Sequence, residues 1–169
     1  IDQFESVFEQ LMQEAEIVYL NSNEHARATV NVETRTARFN KWCKKKYSSH
    51  QYEKSAPFMH ELRAVKDSLE IDLMQHACNI TEKGFRRVLN FVKPGVMEYE
   101  IEAEYIHEFL INRSKGFASE PIIASGLNAC VLHYIDNNKE CKSGDMVLMD
   151  VGAEYANYAS DMTRCIPVS

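Results

Sequence analysis

The sequence lacks the features that mark several large classes of protein. Its 169 residues contain no CxxC pair, and the five cysteines are odd in number and widely spaced, which indicates neither a disulfide framework nor a zinc knuckle. No apolar run approaches the roughly 18 residues of a membrane span, and the N-terminus has no signal-peptide pattern. We therefore expect a soluble, globular protein of the cytoplasm, which is a reducing compartment, with no membrane partner.

An excess of basic charge is absent as well. The net charge is −6, and residues 56–169 contain 11 lysines and arginines against 17 aspartates and glutamates, which argues against nucleic acid as the main partner. The chain also begins without an initiator methionine, so we expect it to be a piece of a longer protein.

Helices are predicted in four segments, where apolar residues recur at intervals of three and four. These segments are residues 4–15, 33–47, 65–92 and 99–115. Gly84 predicts a kink or an interruption in the third helix. Four glutamates crowd the start of the fourth helix, and we interpret them as structural charges that suit the positive end of the helix dipole. They are Glu98, Glu100, Glu102 and Glu104.

Strands are predicted mainly in the last third of the chain, after an early strand at 17–20. They lie at 121–125, at 129–135 and on both sides of a hairpin turn at Tyr155-Ala156. Helices followed by largely antiparallel strands are typical of an α+β domain, in which the helices cover one face of a curved sheet.

A domain boundary is predicted where the chain is polar and aperiodic, from Ser48 to Pro57. We therefore expect two parts. Residues 1–56 would form the end of an α/β domain, and residues 57–169 would form the α+β domain.

Two apolar, strand-like runs each carry a carboxylate where a buried strand rarely has one. With a turn at Tyr155-Ala156, Asp150 would pair directly with Asp161, with Cβ atoms about 5 Å apart. Two like charges at that distance are unfavourable in an apolar setting unless one is protonated or a cation lies between them. A divalent cation held by carboxylate oxygens would explain the pair, so the spacing predicts a metal site.

Other interpretations of these residues stay open. Asp150 could cap a turn through Val151-Gly152, and Asp161 could be an exposed strand residue in a register shifted by a bulge. His133 lies in the predicted strand at 129–135, where a lone histidine is more often a core residue than a catalytic one. Its proximity to two unusual aspartates favours the catalytic interpretation.

Three segments together resemble the M24 family of pita-bread metallopeptidases. They are PIIASGLNACVLHY at 121–134, GDMVLMDVGAEY at 144–155 and SDMTR at 160–164. A histidine lies 17 positions before the first aspartate, and the second aspartate follows 11 positions later. The resemblance covers residues 57–169 and is strongest to family members that act on Xaa-Pro peptides. Residues 1–56 resemble the closing part of the creatinase-like domain that precedes the catalytic domain.

The resemblance implies a role for each candidate residue. Asp150 corresponds to a bidentate ligand of one metal ion and Asp161 to a carboxylate that bridges two, so the implied cofactors are two divalent ions, with Mn²⁺ expected. His133 corresponds to the histidine that steadies the tetrahedral intermediate. Thr163 shares a strand face with Asp161 by the two-residue period and is expected to hold that carboxylate. The implied activity is release of the N-terminal residue from peptides with proline at the second position.

The chain departs from the family pattern because it stops at Ser169. Family members complete the metal site with a histidine and two glutamates further along, so we expect the first half of a catalytic domain, inactive alone. An uncovered apolar sheet face is expected to drive self-association into a homo-oligomer. Two alternatives stay open. One is a prolidase, which has the same ligands but cleaves Xaa-Pro dipeptides, and the other is a non-catalytic pita-bread domain that binds proteins.

Overall fold

The computed structural model describes residues 2–22 and 32–169. The chain divides into two compact units, residues 1–65 and residues 66–169. This division comes after residue 65, whereas the sequence predicts a boundary between residues 56 and 57. The assignment of the two parts to a creatinase-like domain and a catalytic domain stays a prediction.

The first unit is a small α/β arrangement. In chain order it contains α1 (Phe4–Glu14), β1 (Ile17–Leu20), α2 (Arg35–Lys46), β2 (Gln51–Lys54) and α3 (Ala56–Ala64). The two strands are parallel, and buried Met12, Leu20 and Cys43 form the core together with the aromatic rings around them. The predicted strand at 17–20 and the first two predicted helices are confirmed.

The segment that the sequence marks as aperiodic contains an ordered strand, β2. Its side chains are mostly polar and exposed. Tyr52 anchors it, because the tyrosine hydroxyl is hydrogen-bonded to the backbone carbonyls of Cys43 (3.1 Å) and Tyr47 (2.9 Å). The sequence does not predict this strand, because its polar side chains have no apolar period.

The second unit begins with two helices. They are α4 (Ser68–Phe91) and α5 (Glu98–Ile111). A capping box starts α4, since Glu70 N–H donates to Asp67 Oδ1 and Asp67 N–H donates to Glu70 Oε2, both at 2.8 Å. The helix continues through Gly84, so the predicted interruption is wrong. A Cβ at Gly84 would lie 2.8 Å from the ring of Tyr105, so glycine lets the two helices pack closely.

Two antiparallel sheets of three strands each follow the helices. In chain order the strands are β3 (Gly116–Phe117), β4 (Ile122–Ser125), β5 (Met146–Val151), β6 (Ala153–Tyr155), β7 (Tyr158–Ala159) and β8 (Met162–Pro167). One sheet has the order β4-β5-β8 and the other the order β3-β6-β7. A 3₁₀ helix, Gly126–Cys130, follows β4 and packs against β4 and β5.

The helices bury their apolar stripes against the sheets. The core residues come from both layers, and the larger ones are Ile80, Val88, Ile101, Tyr105, Phe109, Ile123, Val147 and Met149. Most side chains of β8 remain exposed. The predicted α+β arrangement of helices on a mostly antiparallel sheet is thus confirmed. Among the helices of residues 2–22 and 32–169, none combines the length and the hydrophobicity that crossing a membrane requires.

Candidate metal centre

The hairpin that carries the two aspartates turns one residue later than predicted. Its turn residues are Ala156 and Asn157, with φ of 51° and 68°. Positive φ at both central residues is typical of a type I′ turn, and asparagine tolerates that conformation better than Tyr155 would. The expected pairing of Asp150 with Asp161 is therefore wrong, because the later turn changes the partner of every strand residue.

Asp150 lies on β5 directly opposite Thr163 on β8. The Thr163 hydroxyl donates a hydrogen bond to Asp150 Oδ1 at 2.8 Å. The sequence predicts that this hydroxyl holds Asp161, but in the observed register it is hydrogen-bonded to Asp150 instead. Asp150 is half-buried and Thr163 is exposed. The hydrogen bond therefore orients the Asp150 carboxylate and leaves its remaining lone pairs for another partner.

Asp161 follows a residue that is fixed by a buried hydroxyl network. Ser160 Oγ lies 2.6 Å from Thr81 Oγ1 of α4, and both oxygens accept from the N–H of Ala153 at 2.9 Å. Ser160, Thr81 and Ala153 are all buried, whereas Asp161 is exposed. The network therefore holds the backbone next to Asp161 against α4 while the carboxylate stays accessible.

Gly152 separates the two carboxylates. Gly152 and Asp161 lie between the paired residues of β5–β8 and those of β6–β7, and continuing that register through them would put Gly152 opposite Asp161 and on the same strand face as Asp150. On that register the two aspartates would be diagonal neighbours on one face, with Cα atoms about 7 Å apart. A Cβ at Gly152 would lie 1.9 Å from the carbonyl oxygen of Ser160, so only glycine allows the strands to approach here.

Replacing Gly152 by alanine is expected to destabilise the protein by about 3 kcal/mol or more, because the added methyl group forces the hairpin strands apart. Gly144→Ala is the control. Its Cβ would meet no atom within 4 Å, and its φ of 87° limits the cost to backbone strain of about 1–2 kcal/mol. Urea unfolding of both variants measures the difference. Equal losses of stability would show that the close approach at Gly152 is unimportant.

His133 lies in a turn rather than in a strand. Residues 131–133 follow the 3₁₀ helix, His133 has a φ of 53°, and the residue is exposed. The left-handed conformation is uncommon for residues other than glycine, although histidine adopts it more readily than most. Both the predicted strand at 129–135 and the alternative of a buried core histidine are wrong.

Glu98 has a larger structural role than the sequence indicates. It is fully buried and accepts hydrogen bonds from the N–H and hydroxyl of Ser125, both at 2.7 Å, from the hydroxyl of Tyr134 at 2.7 Å and from the N–H of Lys139 at 2.9 Å. Burial by itself would raise the pKa of Glu98, but these hydrogen bonds together hold the pKa below its ordinary value. The carboxylate is therefore ionised in a buried setting.

The spacing of residues along α5 indicates that Glu98 is buried. Glu98 precedes Ile101, Tyr105 and Phe109 at intervals that continue their buried stripe, and all four residues are buried. A carboxylate on such a stripe needs hydrogen-bond donors from elsewhere in the chain. Glu98 is thus structural, as the sequence indicates, but it acts through buried hydrogen bonds rather than only through the helix dipole.

The described residues offer two carboxylates, Asp150 and Asp161, to a candidate metal site. In residues 2–22 and 32–169 no group of three or more histidines, cysteines, aspartates and glutamates is placed to hold a metal ion. Asp150 and Asp161 supply carboxylate oxygens, which are the donors that hard divalent cations prefer. The donor chemistry thus fits such a cation, and further ligands would be needed to complete its coordination.

Comparison with known families assigns the chain. Residues 72–169 match metallopeptidase family M24. The chain belongs to this family. His133, Asp150 and Asp161 all lie inside the matched range, as does the whole of the hairpin.

Two curated relatives of this M24 chain are Xaa-Pro aminopeptidases. The protein of Haemophilus influenzae is 42% identical over 113 residues, which cover 67% of the chain and 26% of that protein. The protein of Escherichia coli is 34% identical over 161 residues, which cover 95% of the chain and 36% of that protein. The chain therefore spans about a quarter to about a third of the length of these relatives.

Solved structures of the family share the fold. Proline aminopeptidase P II from Yersinia pestis matches 98% of the chain and 39% of its own length, with a TM-score of 0.81 and 30% identity. A zinc-substituted Escherichia coli aminopeptidase P in complex with product matches the same shares, with a TM-score of 0.78 and 33% identity. These likenesses confirm the pita-bread fold expected from the sequence.

Proposed function

We propose that this chain is part of an aminopeptidase that releases the N-terminal residue from peptides with proline at the second position. The observation that carries the proposal is the hairpin of this M24 member, whose register places half-buried Asp150 and exposed Asp161 one diagonal step apart. The substrate class is supported by two relatives that are Xaa-Pro aminopeptidases.

Asp150, Asp161 and Thr163 would form this chain's share of a centre for two divalent metal ions, with Mn²⁺ as the expected ion. Asp150 would bind one ion, and Asp161 would bind both. The Thr163 hydroxyl limits rotation of the Asp150 carboxylate, which preserves the geometry that a metal ligand needs. When bound, the ions would supply positive charge that polarises the scissile carbonyl and acidifies a water molecule.

His133 would act on the substrate rather than on the metal ions. Its exposed position on a turn leaves the imidazole free to approach a bound peptide. A ring N–H would donate to the oxygen of the tetrahedral intermediate as negative charge develops there, which lowers the energy of the transition state.

The rest of the centre would come from residues outside this chain, and the 169 residues alone would be inactive. Assembly into a homo-oligomer belongs to the same proposal and is supported by exposed apolar side chains, such as Leu127 at 90% and Leu132 at 92% exposure. A cytoplasmic location is supported by five free cysteines, of which Cys43 and Cys141 are buried.

The test uses the full-length protein that carries this chain, loaded with Mn²⁺. We expect release of the N-terminal residue from an Xaa-Pro-Xaa tripeptide and none from the matched Xaa-Ala-Xaa tripeptide, measured by mass spectrometry. Hydrolysis of Xaa-Pro dipeptides alone would instead indicate a prolidase. No hydrolysis by a folded, metal-loaded protein would contradict the enzymatic proposal and favour a protein-binding domain.

A further inference from the structure

We propose that Glu98 is a positioning residue, whose buried carboxylate holds the turn that presents His133. This inference rests on the proposed function of His133, but the placement of the turn can be measured separately. The four donors to Glu98 all belong to one segment, residues 125–139.

The donors to Glu98 lie at both ends of this segment and in its middle. Ser125 is the last residue of β4, and Lys139 lies beyond the turn. Tyr134 donates from the interior of the segment, immediately after His133. One carboxylate thus connects the beginning, the middle and the end of the segment, and α5 provides the rigid support for that carboxylate.

The charge of Glu98 is balanced by hydrogen bonds rather than by an ion pair. The ion pairs of the described residues do not include Glu98. A buried carboxylate without a cation is costly unless several donors converge on it, and here four donors do so. An ionised carboxylate only accepts hydrogen bonds, so each of the four donor groups must direct its hydrogen toward Glu98.

A second carboxylate of α5 holds the far end of the same segment. Asn137 Nδ2 donates to Glu102 Oε2 at 2.9 Å and to the carbonyl of Pro121 at 3.1 Å. The amide oxygen of Asn137 accepts from the N–H of Ile123 at 2.9 Å. The segment is therefore fixed to both α5 and β4, and Tyr134, the residue next to His133, supplies a further side-chain anchor.

Tyr134 determines which way His133 faces. Tyr134 is 9% exposed, and its hydroxyl points into the core toward Glu98, whereas His133 is exposed. His133 also has a left-handed backbone, which only a well-fixed surrounding structure maintains. Without the hydroxyl of Tyr134 the turn would lose the contact closest to His133.

The critical variant is Tyr134→Phe in the full-length, metal-loaded protein, because it removes one hydroxyl and keeps the buried ring. We expect kcat on an Xaa-Pro-Xaa peptide to fall by roughly 10- to 100-fold, with KM and metal content unchanged, since small misplacements of a catalytic group have effects of this size. Tyr105→Phe is the matched control. It also removes one buried hydroxyl, which is hydrogen-bonded to Met149 Sδ at 3.6 Å and not to the segment 125–139, and it should leave kcat unchanged.

A double variant separates positioning from a general loss of stability. In a His133→Ala background, Tyr134→Phe should cause no further decrease in kcat, because the residue that it positions is already gone. An equal decrease in both backgrounds would overturn the proposal. A decrease in Tyr105→Phe as large as in Tyr134→Phe would do the same.

Hydrogen exchange measured by mass spectrometry tests the placement without any activity. Tyr134→Phe should increase exchange about tenfold in peptides that span residues 126–139 and leave peptides of α4 unchanged, while Tyr105→Phe should not affect the segment. If the wild-type protein hydrolyses no Xaa-Pro peptide, the proposed function fails, but the exchange result still decides whether Tyr134 and Glu98 hold the turn. Unchanged exchange over 126–139 in Tyr134→Phe would refute the positioning role.

Discussion

Asp161→Asn in the full-length protein is expected to abolish metal-dependent hydrolysis, and Asp150→Asn is expected to do so nearly as completely. An amide lacks the negative charge that a divalent cation requires of its ligands. Asp161→Asn should cause the greater loss of metal, because Asp161 would bind two ions. Elemental analysis after dialysis measures the number of metal ions per chain.

The control for these variants is Asp72→Asn, which neutralises an exposed aspartate on α4. It should keep the metal content and the activity of the wild type. Wild-type metal content in both Asp150→Asn and Asp161→Asn would contradict the assignment of these residues as ligands.

His133→Ala is expected to lower kcat by roughly 10²- to 10³-fold, which is the range observed when one donor to a developing oxyanion is removed. Metal content should stay normal, because the proposed role of His133 is toward the substrate. The measurement is steady-state kinetics with elemental analysis of the same sample.

His107→Ala provides the matched control, since it removes an exposed histidine of α5 that lies far along the helix from Glu98. It should leave kcat unchanged. An effect of His133→Ala on KM alone would contradict the catalytic role, and loss of metal would instead make His133 a ligand.

Four of the five α-helices of the described residues are predicted, because their apolar residues recur at regular intervals, whereas α3 (Ala56–Ala64) is not predicted. The spacing of Ile101, Tyr105 and Phe109 is typical of one helix face, and all three residues are buried. The same face includes Glu98, whose burial depends on donors from residues 125–139. Contacts so distant in sequence leave no local pattern, so the role of Glu98 required the structure.

The hairpin that carries Asp150 and Asp161 is predicted, but its strand register is not. Asp150 lies on β5, and Asp161 immediately precedes β8 in the same hairpin, as the apolar runs indicate. Their exact partners depend on which two residues form the turn, and Ala156-Asn157 is a less obvious turn than one with glycine. A change of one residue in the turn converts direct pairing of the aspartates into a diagonal arrangement.

The turn at His133 is mispredicted because its apolar residues are not buried. The apolar pattern of this segment predicts a strand, yet Val131, Leu132 and Ile135 are each more than half exposed. Hydrophobic residues predict burial only where some surface covers them, and local sequence contains no information about that surface. The anchoring contacts of Tyr134 and Asn137 determine the path of the segment instead.

The central claim is that the face of the hairpin between β5 and β8 binds the metal ions. The most direct measurement is a crystal structure of the full-length protein with Mn²⁺, with diffraction data collected at the manganese absorption edge. We expect two anomalous peaks, one within bonding distance of both Asp150 and Asp161 and the other within bonding distance of Asp161. Peaks elsewhere in the protein, with both carboxylates free of metal, would contradict the claim.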